Sequence, residues 1–181
     1  IRSQLTALSE MVERILTMSR EEREDFTLRR ERIPLAGMLG ALAEKFRMQA
    51  AKPARVTVDV SPEGLTAFAD RFHLSHALDN LVDNALKYSN PGGLVTVSAE
   101  AIAEQIQVRI SDNGVGISAA DLPKVKTKFF KANHTRRGSG IGLAVANEII
   151  TMHHGKLDIQ SELGKGTTVI ITLPAMSDHL L

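Results

Sequence analysis

Four polar residues in one short stretch have the types and spacing for chemistry on a phosphorylated ligand. In HALDNLVDNALKYS, residues 76–89, Asn80, Asp83, Asn84 and Lys87 lie three or four apart, so on a helix they share one face. Leu78, Leu81, Val82, Ala85 and Leu86 recur at helical spacing on the opposite face and suit a core. A carboxamide is a neutral oxygen ligand for Mg²⁺, which often takes one or two protein ligands and fills its octahedron with waters and phosphates. Asn84 is the candidate for that role. Asn80, one turn earlier, can orient a phosphate or a water. Lys87 offers phosphate a point charge, and Tyr88 a ring beside a nucleotide. Asp83 can accept a proton from a nucleophile in a transfer step. Taken alone, the row also reads as a solvated helix face, and the rest of the chain decides between the two.

Two glycine-bearing stretches extend the chemistry. Asp112-Asn113-Gly114-Val115-Gly116-Ile117 follows an alternating segment that ends in the carboxylate. Gly114 and Gly116 let the backbone turn through φ > 0 and approach a ligand. A strand-end carboxylate there can accept from the N6 amine of adenine. Guanine presents a carbonyl oxygen at that position, and an unpaired buried acceptor costs about 1–3 kcal/mol, roughly ten- to hundredfold in preference. The competing reading is a plain Asx-type turn. Gly138-Ser139-Gly140-Ile141-Gly142-Leu143 opens a predicted helix, and free N–H groups at a helix start bind phosphate. A tight loop-to-helix connection explains the same glycines. Just before it lie Lys124, Lys126, Lys128, Lys131, Arg136 and Arg137, with Phe129-Phe130 among them. These cations can close over a triphosphate, Lys131 first. Two other features carry no such chemistry. Gly164-Lys165-Gly166-Thr167 lacks the GxxxxGK[ST] spacing of a Walker loop. His153-His154 is adjacent rather than at i, i+4, so it gives no metal pair and reads as structural or surface.

The elements that must position these residues follow from periodicity. Residues 1–20 carry Leu5, Leu8, Val12 and Ile15 at helical spacing, the seam of a coiled coil or helical hairpin. Residues 20–32 are dense in both charges and read as a helix end and solvated connector. Pro34 suits the first turn of a new helix, and residues 35–50 place Leu35, Leu39, Leu42 and Phe46 on one stripe. Val56, Val58 and Val60 alternate with polar residues as a half-buried strand. A turn at Ser61-Pro62-Glu63-Gly64 leads to a returning strand over 65–69. Asp70 is placed to cap the helix that carries the polar row. Val95, Val97 and Ala99, then Ile106, Val108 and Ile110, predict a hairpin. A short helix is expected over 119–124, a helix from the second glycine stretch to about Met152, and strands over 156–160 and 168–173. Strands in antiparallel pairs predict an α+β fold, a mixed and mostly antiparallel sheet with helices on one face, preceded by an N-terminal helix.

Composition narrows the class. The chain has 181 residues, 43% of them hydrophobic, enough for a sizeable core. A net charge of +1 argues against a dominant nucleic-acid surface. There is no cysteine, hence no disulfide framework and no thiolate metal site. No signal peptide or apolar run of membrane-spanning length is present. The first residue is Ile1 rather than Met, so a piece of a longer protein is expected.

The motifs together resemble the ATP-binding catalytic domain of sensor histidine kinases, within the ATPase class shared with gyrase, Hsp90 and MutL. NLVDNALKYS is similar to the N box, DNGVGI to the first glycine box, KFFK to part of the F box, GSGIGLAV to the second glycine box and GKGTTVIITLP to the last. The likeness spans residues 35–174 with the boxes in order. It implies a two-layer α/β sandwich and a site for ATP and Mg²⁺. Asn84 would hold Mg²⁺, Asn80 and Lys87 would meet phosphates, and Tyr88 would flank base or ribose. Asp112 would read the adenine amine with Gly114, Gly116 and Ile117 around it, and Thr167 would support that pocket. Asp83 stands where the family has its acidic residue before the magnesium Asn. The lid would lie between Asp112 and Gly138 and include Phe129 and Lys131. Asp83 and Lys131 are the catalytic candidates.

The resemblance also implies a domain plan: residues 1–30 as the second helix of a dimerisation and phosphotransfer hairpin with its connector, 31–176 as the ATP-binding domain, 177–181 as a tail. None of His73, His76, His134, His153, His154 or His179 stands in the phosphoacceptor motif. Lys126 and Thr127 replace the aromatic and glutamate that often precede the paired aromatics. The implied activity is transfer of the γ-phosphate of ATP to a hairpin histidine of the same or a partner subunit, for relay to a response regulator. The implied whole is a homodimer, with this chain the cytoplasmic portion of an inner-membrane-anchored sensor. A regulatory module that binds ATP without phosphotransfer is the alternative. A gyrase- or Hsp90-type clamp fits the short chain and basic lid less well.

Overall fold

A computed structural model of the chain describes residues 27–49, 55–90, 92–125 and 141–175. The predicted helix over 1–20 and the basic segment with Phe129, Lys131, Gly138, Ser139 and Gly140 lie outside the described residues. In chain order the elements are β1 (Arg30–Pro34), α1 (Leu35–Gln49), β2 (Arg55–Ser61), β3 (Thr66–Asp70), α2 (Arg71–Tyr88), β4 (Leu94–Ile102), β5 (Gln105–Asp112), α3 (Ile141–Met152), β6 (Lys156–Glu162) and β7 (Gly166–Pro174). One sheet has five strands in the order β2-β4-β5-β7-β6, and a second pairs β1 with β3.

Alternation on the central strands builds the core. Val95, Val97 and Ala99 of β4 and Ile106, Val108 and Ile110 of β5 are buried, with polar residues between them. β7 adds Val169, Ile171 and Leu173, and β6 adds Leu157 and Ile159. Register places Ile110 opposite both Val97 and Val169, so these residues share one face of the sheet. Against that core pack Leu74, Leu78, Leu81 and Val82 of α2 and Val145, Ala146 and Ile149 of α3. The two helices lie against each other, and α1 packs chiefly along β2. The result is the expected two-layer α+β sandwich.

Two expectations are corrected. The strands over 56–60 and 65–69 do not form a hairpin. β2 pairs parallel with β4, Val56 opposite Val95, and β3 pairs antiparallel with β1, Ile33 opposite Ala67. The charged run before Pro34 is also not all connector, because Arg30–Pro34 is β1, with Ile33 its one buried side chain. Pro34 closes that strand, and the helix begins one residue later.

The polar row is held by the capping of its helix. The Asp70 side chain accepts from the backbone N–H of His73 (3.1 Å), satisfying one of the N–H groups a helix start leaves unpaired. At the other end Ser89 leaves the helix in an extended conformation, its hydroxyl donating to the Leu86 carbonyl (3.0 Å). The β4–β5 hairpin turns at Ala103-Glu104. The expected short helix after β5 is seen over 122–125, where Ser118 accepts the first helical N–H bonds from Asp121 and Leu122.

Candidate functional site

The face of α2 away from the core carries the polar row. Asp83 and Lys87 are ion-paired across one turn (2.9 Å), both about half exposed. Asn80 and Asn84 are half-buried, and Asn84 Nδ2 is shielded from solvent with no hydrogen-bond partner. A shielded N–H without a partner calls for an acceptor, such as a phosphate oxygen or a water, and the carboxamide oxygen is a separate acceptor. Tyr88, the last helical residue, leaves its side chain 47% exposed. Among the described residues no three His, Cys, Asp or Glu side chains converge on a point that could hold a metal ion. A lone carboxamide matches a cation held mainly by phosphate oxygens and water.

Asp112 sits at the C-terminal end of β5, opposite Thr167 of β7. Burial pushes its carboxyl above the usual carboxylate range, and the backbone N–H groups of Gly114 and Thr167 pull the other way without reversing it. The Gly114 bond is 2.9 Å long. An ionised carboxylate has about four lone-pair sites, so two N–H donors leave room for an exocyclic amine.

The glycines of this loop approach protein backbone. A Cβ on Gly114 would stand 2.0 Å from the Tyr88 carbonyl oxygen, and Gly116, at φ +70°, would place one 2.1 Å from that of Glu162. The Val115 N–H donates to Tyr88 (3.3 Å) and the Val115 carbonyl accepts from Gly164 (2.8 Å). The loop is thus pinned between the end of α2 and the β6–β7 turn, and Gly114 is where the Asp112 loop meets the helix of the polar row. Gly164 and Lys165 belong to that turn, and Gly166 and Thr167 begin β7.

Two residues that sequence reasoning passed over hold the loop. The Ser161 hydroxyl accepts from the Ile117 N–H (2.8 Å), donates to the Gly166 carbonyl (2.9 Å) and lies 2.8 Å from the Thr167 hydroxyl. Its sequence signal is faint: Leu157, Ile159 and Ser161 continue one inward alternation, which makes Ser161 a polar residue in an apolar register. The Asn113 side chain accepts from the Leu94 N–H (3.0 Å), and its carbonyl accepts from Asn90 (3.2 Å), binding the start of β4 to the loop. α3 begins at Ile141-Gly142, where the second glycine stretch ends, and Leu143 packs partly buried against the core.

Comparison with known proteins gives the family and the fold. Residues 69–177 match the Histidine kinase-, DNA gyrase B-, and HSP90-like ATPase family. The chain is 31% identical over 170 residues to the sensor histidine kinase WalK of Bacillus subtilis, covering 91% of this chain and 28% of WalK. It therefore spans less than a third of that curated relative. The catalytic domain of histidine kinase ThkA superposes with a TM-score of 0.71 at 22% identity, covering 81% of this chain and 96% of that domain. ThkA in complex with the response regulator protein TrrA gives 0.72 at 22% identity, over 97% of this chain and 49% of that one. At that identity the two structures speak to the fold. The chain belongs to the ATPase family of histidine kinases, DNA gyrase B and HSP90, and its described fold is that of a histidine kinase catalytic domain.

Proposed function

We propose that this chain is the ATP-binding catalytic part of a sensor histidine kinase, binding Mg-ATP and passing the γ-phosphoryl group to a histidine of a hairpin domain for relay to a response regulator. The supporting observation is the junction at Gly114, where a carboxylate with spare acceptor capacity meets the helix that carries Asn84, whose shielded Nδ2–H lacks an acceptor such as a phosphate oxygen. Asp112 accepts the adenine amine, with Thr167 beside it and the Tyr88 ring against base or ribose. Asn84 supplies the carboxamide oxygen to Mg²⁺, which when bound neutralises charge on the phosphates. Asn80 and Lys87 meet phosphate oxygens. The Asp83–Lys87 pair is exposed, and such pairs open at a cost of about 1 kcal/mol or less. The sequence resemblance adds the N–H groups of the second glycine stretch and Lys131 to the phosphate-binding candidates. Asp83 accepts the proton of the incoming nucleophile, and the remaining acceleration comes from positioning and charge neutralisation.

The hairpin, the homodimer and the membrane anchor belong to the proposed whole, of which this is the cytoplasmic part. That ThkA was solved with a response regulator supports the relay step. The test supplies the missing acceptor. This chain is mixed with a separately expressed hairpin domain of its parent protein and γ-labelled ATP. Label on the hairpin histidine is expected, with Asp83→Asn slowing transfer by about 10²- to 10⁴-fold while ATP-analogue affinity stays within twofold. Tight binding with no transfer would favour an ATP-sensing regulatory module.

A further inference from the structure

A cluster of buried ionisable groups lies outside the nucleotide site. Asp70, His73 and His153 are 6%, 7% and 4% exposed. They come from the end of β3, the first turn of α2 and the residue after α3. Asp70 Oδ1 accepts from the His73 backbone (3.1 Å) and lies 2.8 Å from His73 Nδ1, while Oδ2 accepts from the Arg29 backbone (2.9 Å). The Asp70 N–H donates to His153 Nε2 (3.0 Å), and His153 Nδ1 is 2.7 Å from the Ile149 carbonyl. Arg30 reaches the Met152 carbonyl (3.4 Å). The chain leading into β1 is thereby tied to the start of α2 and the end of α3.

The ring geometry dictates one protonation state. Nε2 accepts, so the single ring proton sits on Nδ1 and donates to Ile149. A second proton would set Nε2–H against the Asp70 N–H, donor facing donor. Burial lowers the His153 pKa. Arg30 and His73 act in the same direction, while the Ile149 carbonyl and Asp70 oppose them without prevailing. For Asp70, burial pushes the carboxyl up, but the His73 side chain and backbone, the Arg29 amide and the charge of His73 together bring it below its ordinary value.

We propose that His153 is a proton-sensitive latch: in its neutral form it fastens the start of α2 to the end of α3, the helices flanking the proposed nucleotide site, and its protonation releases them and weakens nucleotide binding. The last step rests on the nucleotide reading; the latch itself does not. His153 acts as a positioning residue, through the helix that carries Asn80 to Lys87. Because its folded pKa lies below the unfolded value near 6.5, the hold is complete above that value and lost as pH falls through the folded pKa. Asp70, also lowered, acts in the same sense at more acid pH.

The test is an NMR pH titration of the whole chain with ¹⁵N-labelled histidine and backbone, with and without a non-hydrolysable ATP analogue. At pH 7.5 the latch requires His153 protonated on Nδ1 and bare on Nε2, a midpoint below 6.5, and an Asp70 amide that shifts with that midpoint. Bound analogue lowers the midpoint further, by about 1 if the protonated form binds tenfold more weakly. His153→Gln carries both an N–H and a carbonyl but no titration, so it should bind the analogue at pH 7.5 and lose the part of the pH dependence that the analogue's own phosphates do not supply. An Nε2-protonated ring, a midpoint at or above 6.5, an unresponsive Asp70 amide, or an analogue that binds without moving the midpoint would each overturn the proposal. If no analogue binds, the nucleotide reading fails, and the wild-type titration of His153 and Asp70 still decides the latch.

Discussion

Around Asp112 the polar contacts run through backbone or between neighbouring strands, whereas along α2 the Asp83–Lys87 contact joins two exposed side chains of one helix. Ile117 N–H, Gly166 C=O and Thr167 Oγ1 meet at Ser161, and Gly114 and Thr167 N–H groups meet at Asp112. These contacts are made within the protein itself, and a site held in that way lowers the cost of binding. In the proposed site, exchanging the exposed Asp83–Lys87 pair for a phosphate contact would cost about 1 kcal/mol or less. On the proposed reading, selectivity for the base would lie with the strands and response to the phosphate chain with the helix.

The largest effect expected is where the Asp112 loop meets the end of β6. Gly116→Val sets a β-branched residue at φ +70° and drives its Cβ toward the Glu162 carbonyl, so urea unfolding should show a loss of about 3 kcal/mol or more. A loss under about 1 kcal/mol would mean that the loop is not pinned. Ser161→Ala comes next: it leaves the Ile117 N–H without its partner, for about 1–3 kcal/mol of stability, visible in a thermal melt, with a matching fall in affinity for adenosine. Lys87→Ala should be the mildest for the fold, within about 0.5 kcal/mol. It should weaken ATP-analogue binding by about tenfold and leave adenosine binding unchanged in calorimetry. Equal losses for adenosine and ATP would erase the distinction between the two ends.

Much of this was legible in the chain because the signals are local. The Asp70 cap, the polar row and the β4–β5 hairpin rest on spacing within about twenty residues. The pairing of β2 was not, since Val56, Val58 and Val60 alternate in the same way beside β3 or β4. β1 was hidden because four of its five side chains are exposed and three are charged. His153, read as structural or surface, is a buried structural group whose partner lies 83 residues away, and adjacency to His154 says nothing of it. Ser161 acts only through a turn that brings β6 and β7 against the Asp112 loop. Phe129, Lys131, Gly138, Ser139 and Gly140 fall outside the described residues and stand on sequence pattern and resemblance.

The most direct test of the nucleotide site is calorimetric titration of the chain with non-hydrolysable ATP and GTP analogues, with and without Mg²⁺, beside Asn84→Ala and Asp112→Ala. The account predicts magnesium-dependent binding of the ATP analogue, a ten- to hundredfold preference over GTP, loss of the magnesium dependence in Asn84→Ala, and loss of the base preference in Asp112→Ala. Equal binding of both nucleotides by the unmodified chain, or an Asp112→Ala variant that still prefers ATP, would contradict it.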